Sequence, residues 1–369
     1  MVPFISVLIP TKNRAHLVGY AIKSVLDQSF EDFEIILVDN DDGDLTAEAV
    51  SSIADPRFRY FKTGGLNMSE NWEFALDQAQ GEYVTVLEDK QAYYPWALDR
   101  LRHTVSTHDA QVVIWEWDLY EDALGRVRRR HRSKKVEVIS PEEVLTLYNS
   151  DPSHAWGSLP RMLNSCASRT LISEIRRHKS VRRFFDELSP DLCAAFYLLA
   201  SVDELAFIRD GIGLVGYIHE STARKAVTQK NALAYYGANA NLHDRAVSYL
   251  PVKSRRLVQN LVYSDYLRIR EEVGGRLTPY KMEPMTYLRM CLTDAVNNMR
   301  RGIRDVDDFR LIASNCNQIG IGFSGKLSLL AHLLRELLVP VLKQFRRGKY
   351  HEWCADNIYD AVKKCPDQP

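Results

Sequence analysis

Cysteine is sparse in this 369-residue sequence: six residues, at 166, 193, 291, 316, 354 and 365, with no C-x-x-C and no paired-ligand spacing. That scatter fits reduced thiols in a cytoplasmic protein and speaks against a disulfide framework or a zinc site. Net charge is missing as well. Lys+Arg and Asp+Glu both number 48, so the overall balance does not favour nucleic acid as a partner. No uncharged run is long enough to span a bilayer; the best, "LSLLAHLLRELLVPVL" (327–342), is broken by His332, Arg335, Glu336 and Pro340. The apolar opening, Met1 to Pro10, lacks a basic n-region and a small-residue cleavage site, so it reads as a strand and not as a signal peptide. No self-similar period marks a repeat protein.

What is present is an alternation of two periods over the first ~120 residues, as in a βαβ series. "FISVLIP" (4–10) and "FEIILVD" (33–39) are near-continuous apolar runs, expected of strands buried on both faces. Between them "AHLVGYAIKSVLDQ" places Leu17, Ala21, Val25 and Leu26 at helical spacing. Further strands are predicted over 57–62, 82–88 and 110–120. Helices are predicted over 69–80, with a Ser/Asn-type start, and over 95–108, with Pro95 at the first position. "GRVRRRHRSKK" (125–135) reads as a charged hairpin arm, and from about 240 onward the chain reads almost wholly helical. The expected fold is α/β, with a mostly parallel sheet and flanking helices, plus a C-terminal all-helical domain. The two domains are placed at 1–230 and 231–369.

Ligands of an open parallel sheet sit beyond the carboxyl ends of its strands. Here those ends read Pro10-Thr11-Lys12-Asn13-Arg14, Asp39-Asn40-Asp41-Asp42 and Glu88-Asp89-Lys90. Acids suit ribose hydroxyls, a base N–H or a metal, and cations suit phosphate. "SVLIPTKNRAHLVGYAIKSVLDQSFEDFEIILVDNDDGDLT", continued by "SENWEFALDQAQGEYVTVLEDKQAYYP", closely resembles the opening of family-two inverting glycosyltransferases, which have the A-type nucleotide-sugar fold. The resemblance implies that Pro10, Thr11, Asn13 and Asp39 contact the nucleoside of a UDP-sugar. It places Arg14 and Asn71 on the donor side, and Glu88 and Asp89 along the ribose and diphosphate. The implied partners are a nucleotide-sugar donor and a saccharide or lipid-linked acceptor, in polysaccharide or glycoconjugate biosynthesis.

One position departs from that family. Its turn is usually Asp-x-Asp, whose second acid helps ligate Mg²⁺ or Mn²⁺ between the phosphates; here the position is Lys90. An ammonium cannot ligate a cation. Three readings stay open: Lys90 supplies the positive charge itself; Lys90 points away and Asp89 binds the metal; or the chain is a catalytically degenerate nucleotide-binding or scaffold protein.

Inverting transfer needs a base across the sugar from the phosphates, so it should come from later in the chain. The resemblance implies an acid at a helix start, and Asp191, after Pro190, matches best; Asp186 and Glu187 are rivals. The plain alternative is an acid that only complements a helix dipole. His219, Ser221 and Arg224 are candidate phosphate contacts, with a structural histidine as the alternative for His219. Trp156, beside His154 in "DPSHAWGSLP", is a candidate acceptor contact or a packing residue.

Two features stand apart. "GIGFSGKL" (320–327) mimics a phosphate-binding loop, but Leu327 stands where Ser or Thr is needed, so it reads as a loop before a helix. Leu330, Leu333, Leu334, Leu337, Leu338 and Val341 form an apolar stripe. Its expected use is packing in the helical domain or a homo-oligomer, with peripheral contact at the inner face of a membrane as the alternative.

Overall fold

The structure, a computed structural model, describes residues 2–130, 133, 135–186, 189–217, 248–254, 256–303, 306–344 and 350–366. Arg132, Lys134, Glu187, His219, Ser221 and Arg224 lie outside the described residues. The chain divides into two compact units. One comprises Met1–Glu143, Gly157–Ile218 and Lys349–Pro369; the other comprises Val144–Trp156 and His219–Gly348.

The first unit is built on one sheet. Parallel strands β1 (Ile5–Thr11), β2 (Phe33–Asp39), β3 (Phe58–Lys62) and β4 (Tyr83–Val86) carry the alternation seen in the sequence. Helices α1 (Ala15–Leu26), α2 (Leu45–Val50) and α3 (Met68–Gln78) connect them. Every residue of β1 and β2 is buried, which explains why neither strand shows polar–apolar alternation. Their register sets Thr11 opposite Asp39, so two strand ends arrive at the same rim. α3 is held at its start by a capping box: Asn67 accepts from the Glu70 backbone N–H, and Glu70 reaches back to the Asn67 N–H.

Beyond β4 the sheet turns mixed. β5 (Gln91–Tyr93) and α4 (Ala97–His108) lead to the long β6 (Val112–Glu121), and β7 (Arg126–Arg130) and β8 (Val136–Ile139) follow. After α5 (Pro141–Ser150) and α6 (Pro152–Ala155), β9 (Ser165–Ser168) inserts antiparallel between β4 and β6. α7 (Arg169–Arg177) and α8 (Pro190–Ser201) precede β10 (Leu205–Val215), which runs parallel to β6. Val7, Ile9, Val18, Ile22, Ile35, Leu37, Leu101 and Trp115 belong to one buried core between this sheet and its helices.

In the second unit, α9 (Val258–Val273), α10 (Pro284–Arg300), α11 (Asp307–Gln318) and α12 (Phe323–Gln344) form the helical part. Tyr263 stacks on Tyr266 and leans on Tyr287. The Tyr287 hydroxyl donates to Asn260 Oδ1 at 2.7 Å, which satisfies a buried amide.

Several local expectations are corrected. β4 ends at Val86, so Glu88 lies in a turn and not in the strand. Pro95 does not open α4: the helix starts at Ala97, with Trp96 at its cap. The chain is not helical to its end, because β11 (Tyr350–Cys354) pairs antiparallel with β7 and α13 (Ile358–Lys363) follows. Within the basic arm, Arg126 and Arg128 pair with Glu121 and Glu352, opposite charges set across neighbouring strands. Leu330, Leu334, Leu337 and Leu338 are exposed and not packed inside the helical unit.

Candidate functional site

The rim formed by the ends of β1, β2 and β4 gathers the strand-end residues. Pro10 and Thr11 close β1, where both are buried. The Thr11 hydroxyl donates to Asp89 Oδ2 at 2.8 Å. Asn13 has φ 56°, a left-handed conformation that Asn tolerates better than most residues. That turn aims its backbone N–H at the Asp41 carboxylate. Arg14, at the cap of α1, sends Nη1 to Asp89 Oδ1 at 3.0 Å and Oδ2 at 3.3 Å.

Asp39 is buried at the end of β2. Its Oδ1 accepts from the Asp41 N–H at 2.9 Å and its Oδ2 from the Tyr60 hydroxyl at 2.8 Å. Burial nevertheless dominates and raises its pKa. Asn71, on α3, is buried with both amide ends used: Thr63 donates to Oδ1 at 2.8 Å, and Nδ2 reaches the Val38 carbonyl at 3.4 Å. Asn71 therefore braces the loop after β3.

The turn after β4 places two acids and a cation together. Lys90 Nζ meets Glu88 Oε1 at 2.6 Å, and the Lys90 carbonyl is held by the Gly216 N–H at 3.0 Å. The Glu88 N–H donates to Gln91 Oε1 at 2.9 Å, which closes the turn. Burial alone would raise the Glu88 pKa, but Lys90, then Arg14 and Arg161, outweigh it and hold the carboxyl below its usual range. Asp89 ends on the other side: burial raises it more than Arg14 and Lys90 lower it.

Asp191 comes to this rim from the start of α8, with Pro190 at the helix's first turn. Its Oδ2 lies 4.0 Å from Arg161 Nη1. Burial pushes its pKa up to about 6; Arg161 and the helix-start N–H groups pull it down, and the Glu88 charge adds to the rise. Arg161 feels both Asp191 and Glu88 while burial lowers its own pKa. Sequence reasoning missed Arg161; the only signal was a cation at the end of a polar loop just before β9. It also missed Tyr60, which looked like one aromatic in a strand. Asp186, the rival acid, is buried. Trp156 is assigned to the second unit.

The acids of this turn are already partnered within the chain. Both oxygens of Asp89 already accept hydrogen bonds from Thr11 and Arg14, and Glu88 is joined to Lys90. Among the described residues no three His, Cys, Asp or Glu side chains gather as metal ligands. A hard cation takes carboxylate oxygens; here a buried ammonium pairs with Glu88 Oε1, and a guanidinium with Asp89. Chemically the rim sets three cations, Arg14, Lys90 and Arg161, near carboxylates, one of which, Asp191, has its pKa raised by burial.

Residues 6–170 match the sequence model of the family described as Glycosyl transferase family 2. Among curated proteins, the chain is 37% identical over 114 residues to a GalNAc(5)-diNAcBac-PP-undecaprenol beta-1,3-glucosyltransferase of Campylobacter jejuni. That match covers 30% of this chain and 37% of the relative, so the chain spans little more than a third of that relative's length. It is 26% identical over 221 residues to the glycosyltransferase GlyG of Streptococcus pneumoniae, covering 58% of this chain and 71% of the relative. Among solved structures, S. aureus TarS 1-349 in complex with UDP-GlcNAc aligns with TM-score 0.45 and 12% identity, over 95% of this chain and 97% of that one.

Proposed function

We propose, from the match of residues 6–170 to glycosyl transferase family 2, that this chain is an inverting glycosyltransferase. It moves a sugar from a nucleoside diphosphate donor, a UDP-sugar, to a hydroxyl of a saccharide or lipid-linked acceptor. The observation that carries the reading is that Asp191, at the start of α8, stands 4.0 Å from Arg161, with Glu88 close enough for its charge to act on both. A relative acting on an undecaprenol-linked glycan supports the acceptor class.

Asp191 takes the proton from the acceptor hydroxyl as that oxygen bonds to the anomeric carbon. The bond from that carbon to the diphosphate oxygen breaks on the opposite face, and its electron pair leaves with the nucleoside diphosphate. Inversion follows from this in-line displacement. Lys90 and Arg14 meet the negative charge that grows on the leaving group, while Arg161 stands beside the base. The nucleoside lies along Thr11, Asn13 and Asp39, beside Glu88 and Asp89.

The test is transfer from a panel of UDP-sugars, with and without EDTA, and with the anomeric configuration of the product read by NMR. An inverted product and turnover indifferent to chelator are expected. UDP binding without turnover on a broad acceptor panel would instead mark a nucleotide-binding scaffold. A retained configuration would remove the single-displacement chemistry.

A further inference from the structure

The helix α12 has two unlike faces. Its inner face is fixed to α10: Ser328 accepts from Arg289 at 2.8 Å, His332 pairs with Thr293 at 2.9 Å, and the Glu336 carbonyl accepts from Arg300. Leu329, on the same side, is buried. These residues recur every four positions, as one side of an α-helix must. The opposite side presents Phe323, Leu327, Leu330, Leu334, Leu337 and Leu338. Phe323 is 79% exposed, and the leucines are 42–55% exposed. A continuous row of that size is far from the scattered surface leucine that needs no explanation.

The charges of this segment identify what covers the row. Over 323–347 the sequence carries Lys326, Arg335, Lys343, Arg346 and Arg347 against Glu336 as the single acid, in a chain whose total charge is zero. A second copy seated on the row would set Lys326 and Arg335, the exposed cations of α12 whose side chains are described, against their own kind, with Glu336 as the one acid of 323–347 to answer them. An anionic lipid surface answers both features: headgroups meet the cations, and the acyl boundary receives the leucines. Among the described residues no helix is long and apolar enough to cross a membrane, so the helix would lie in the interface plane.

We propose that α12 docks the helical unit on an anionic membrane surface, with Phe323 and its leucines facing the acyl chains. The inference is independent of the reaction proposed above. It is tested by flotation of the full chain with vesicles of phosphatidylcholine alone and of phosphatidylcholine mixed with phosphatidylglycerol. Binding to the anionic vesicles is expected to exceed binding to the neutral ones by about tenfold or more, and to weaken in high salt. Leu330→Ser with Leu334→Ser, and separately Lys326→Glu with Arg335→Glu, should each lower it by about tenfold, with unchanged thermal melting because these side chains are exposed. Equal partition of the parent and both variants, or no flotation at all, would overturn the proposal. So would a dimer in sedimentation equilibrium that the leucine variant dissolves, since that would make a second copy the occupant.

Discussion

At the scale of the residue, Asp191 and Lys90 each carry a separate test. Asp191 keeps a raised pKa because burial beats the pull of Arg161 at 4.0 Å. A base of pKa about 6 is ionised at neutral pH yet still basic enough to accept a proton. Turnover should fall about tenfold per pH unit below that value, since only the ionised carboxylate can act. Asp191→Asn should lower transfer by about 10²–10⁴-fold with UDP affinity in calorimetry nearly unchanged.

The same shift has a sign for stability. A carboxyl raised on folding favours the native state while protonated, and that contribution is lost as pH rises from about 4 to about 6. At pH 7 the ionised group costs up to about 3 kcal/mol, so Asp191→Asn should melt at or above the parent's temperature there. A variant both inactive and clearly less stable at pH 7 would point to a structural acid. At Lys90 the expectation concerns charge. Lys90→Asp should reduce turnover and make what remains sensitive to EDTA, because it restores an oxygen ligand beside Asp89. Turnover that stays blind to chelator in that variant would show that no cation enters this turn.

At the scale of the element, the site depends on how closely strands and turns approach. Gly81 precedes β4, and a Cβ there would sit 2.6 Å from the Ser6 backbone nitrogen in β1. Backbone cannot yield as a flexible side chain can, so Gly81→Ala should cost about 1–3 kcal/mol in denaturant unfolding. Such a loss would loosen the pairing that carries Glu88 and Asp89 to the rim. The α3 start is a contrasting case: the sequence reading began that helix at Ser69, and the structure sets its cap two residues earlier, at Asn67, where the capping box with Glu70 fixes it. The turn after β4 was legible in place and residue type but not in its pairing. Its residues are adjacent in sequence, but which acid pairs with which cation depended on Arg14 and Arg161, which arrive from other elements.

At the scale of the whole molecule, the C-terminal stretch returns to the first unit. β11 pairs with β7, and Ile358, Ala361 and Val362 pack with Tyr94, Tyr120, Val127 and Leu214. Arg129 Nη1 contacts Cys365 Sγ at 3.2 Å, and its Nη2 meets Asp210 at 3.1 Å, joining the returning segment to the sheet. Ile358 is fully buried, so Ile358→Ala should cost about 2–4 kcal/mol in denaturant unfolding. An effect no larger than that of a surface substitution would mean that the return strand is dispensable.

By itself the sequence determined the βαβ alternation of the first ~120 residues, the strand ends that carry polar groups, and the helix start at Pro190-Asp191. These are local: hydrophobic period, a capping residue and a proline each act within a few positions. The tertiary structure alone decided that β9 inserts antiparallel between β4 and β6, and that β11 joins β7 and not the helical unit. It alone decided that Arg161 stands by Asp191 and that the leucine row of α12 faces outward. Pairing and burial depend on partners distant along the chain, and a short apolar run looks the same in sequence whether it meets a strand, a helix or open solvent.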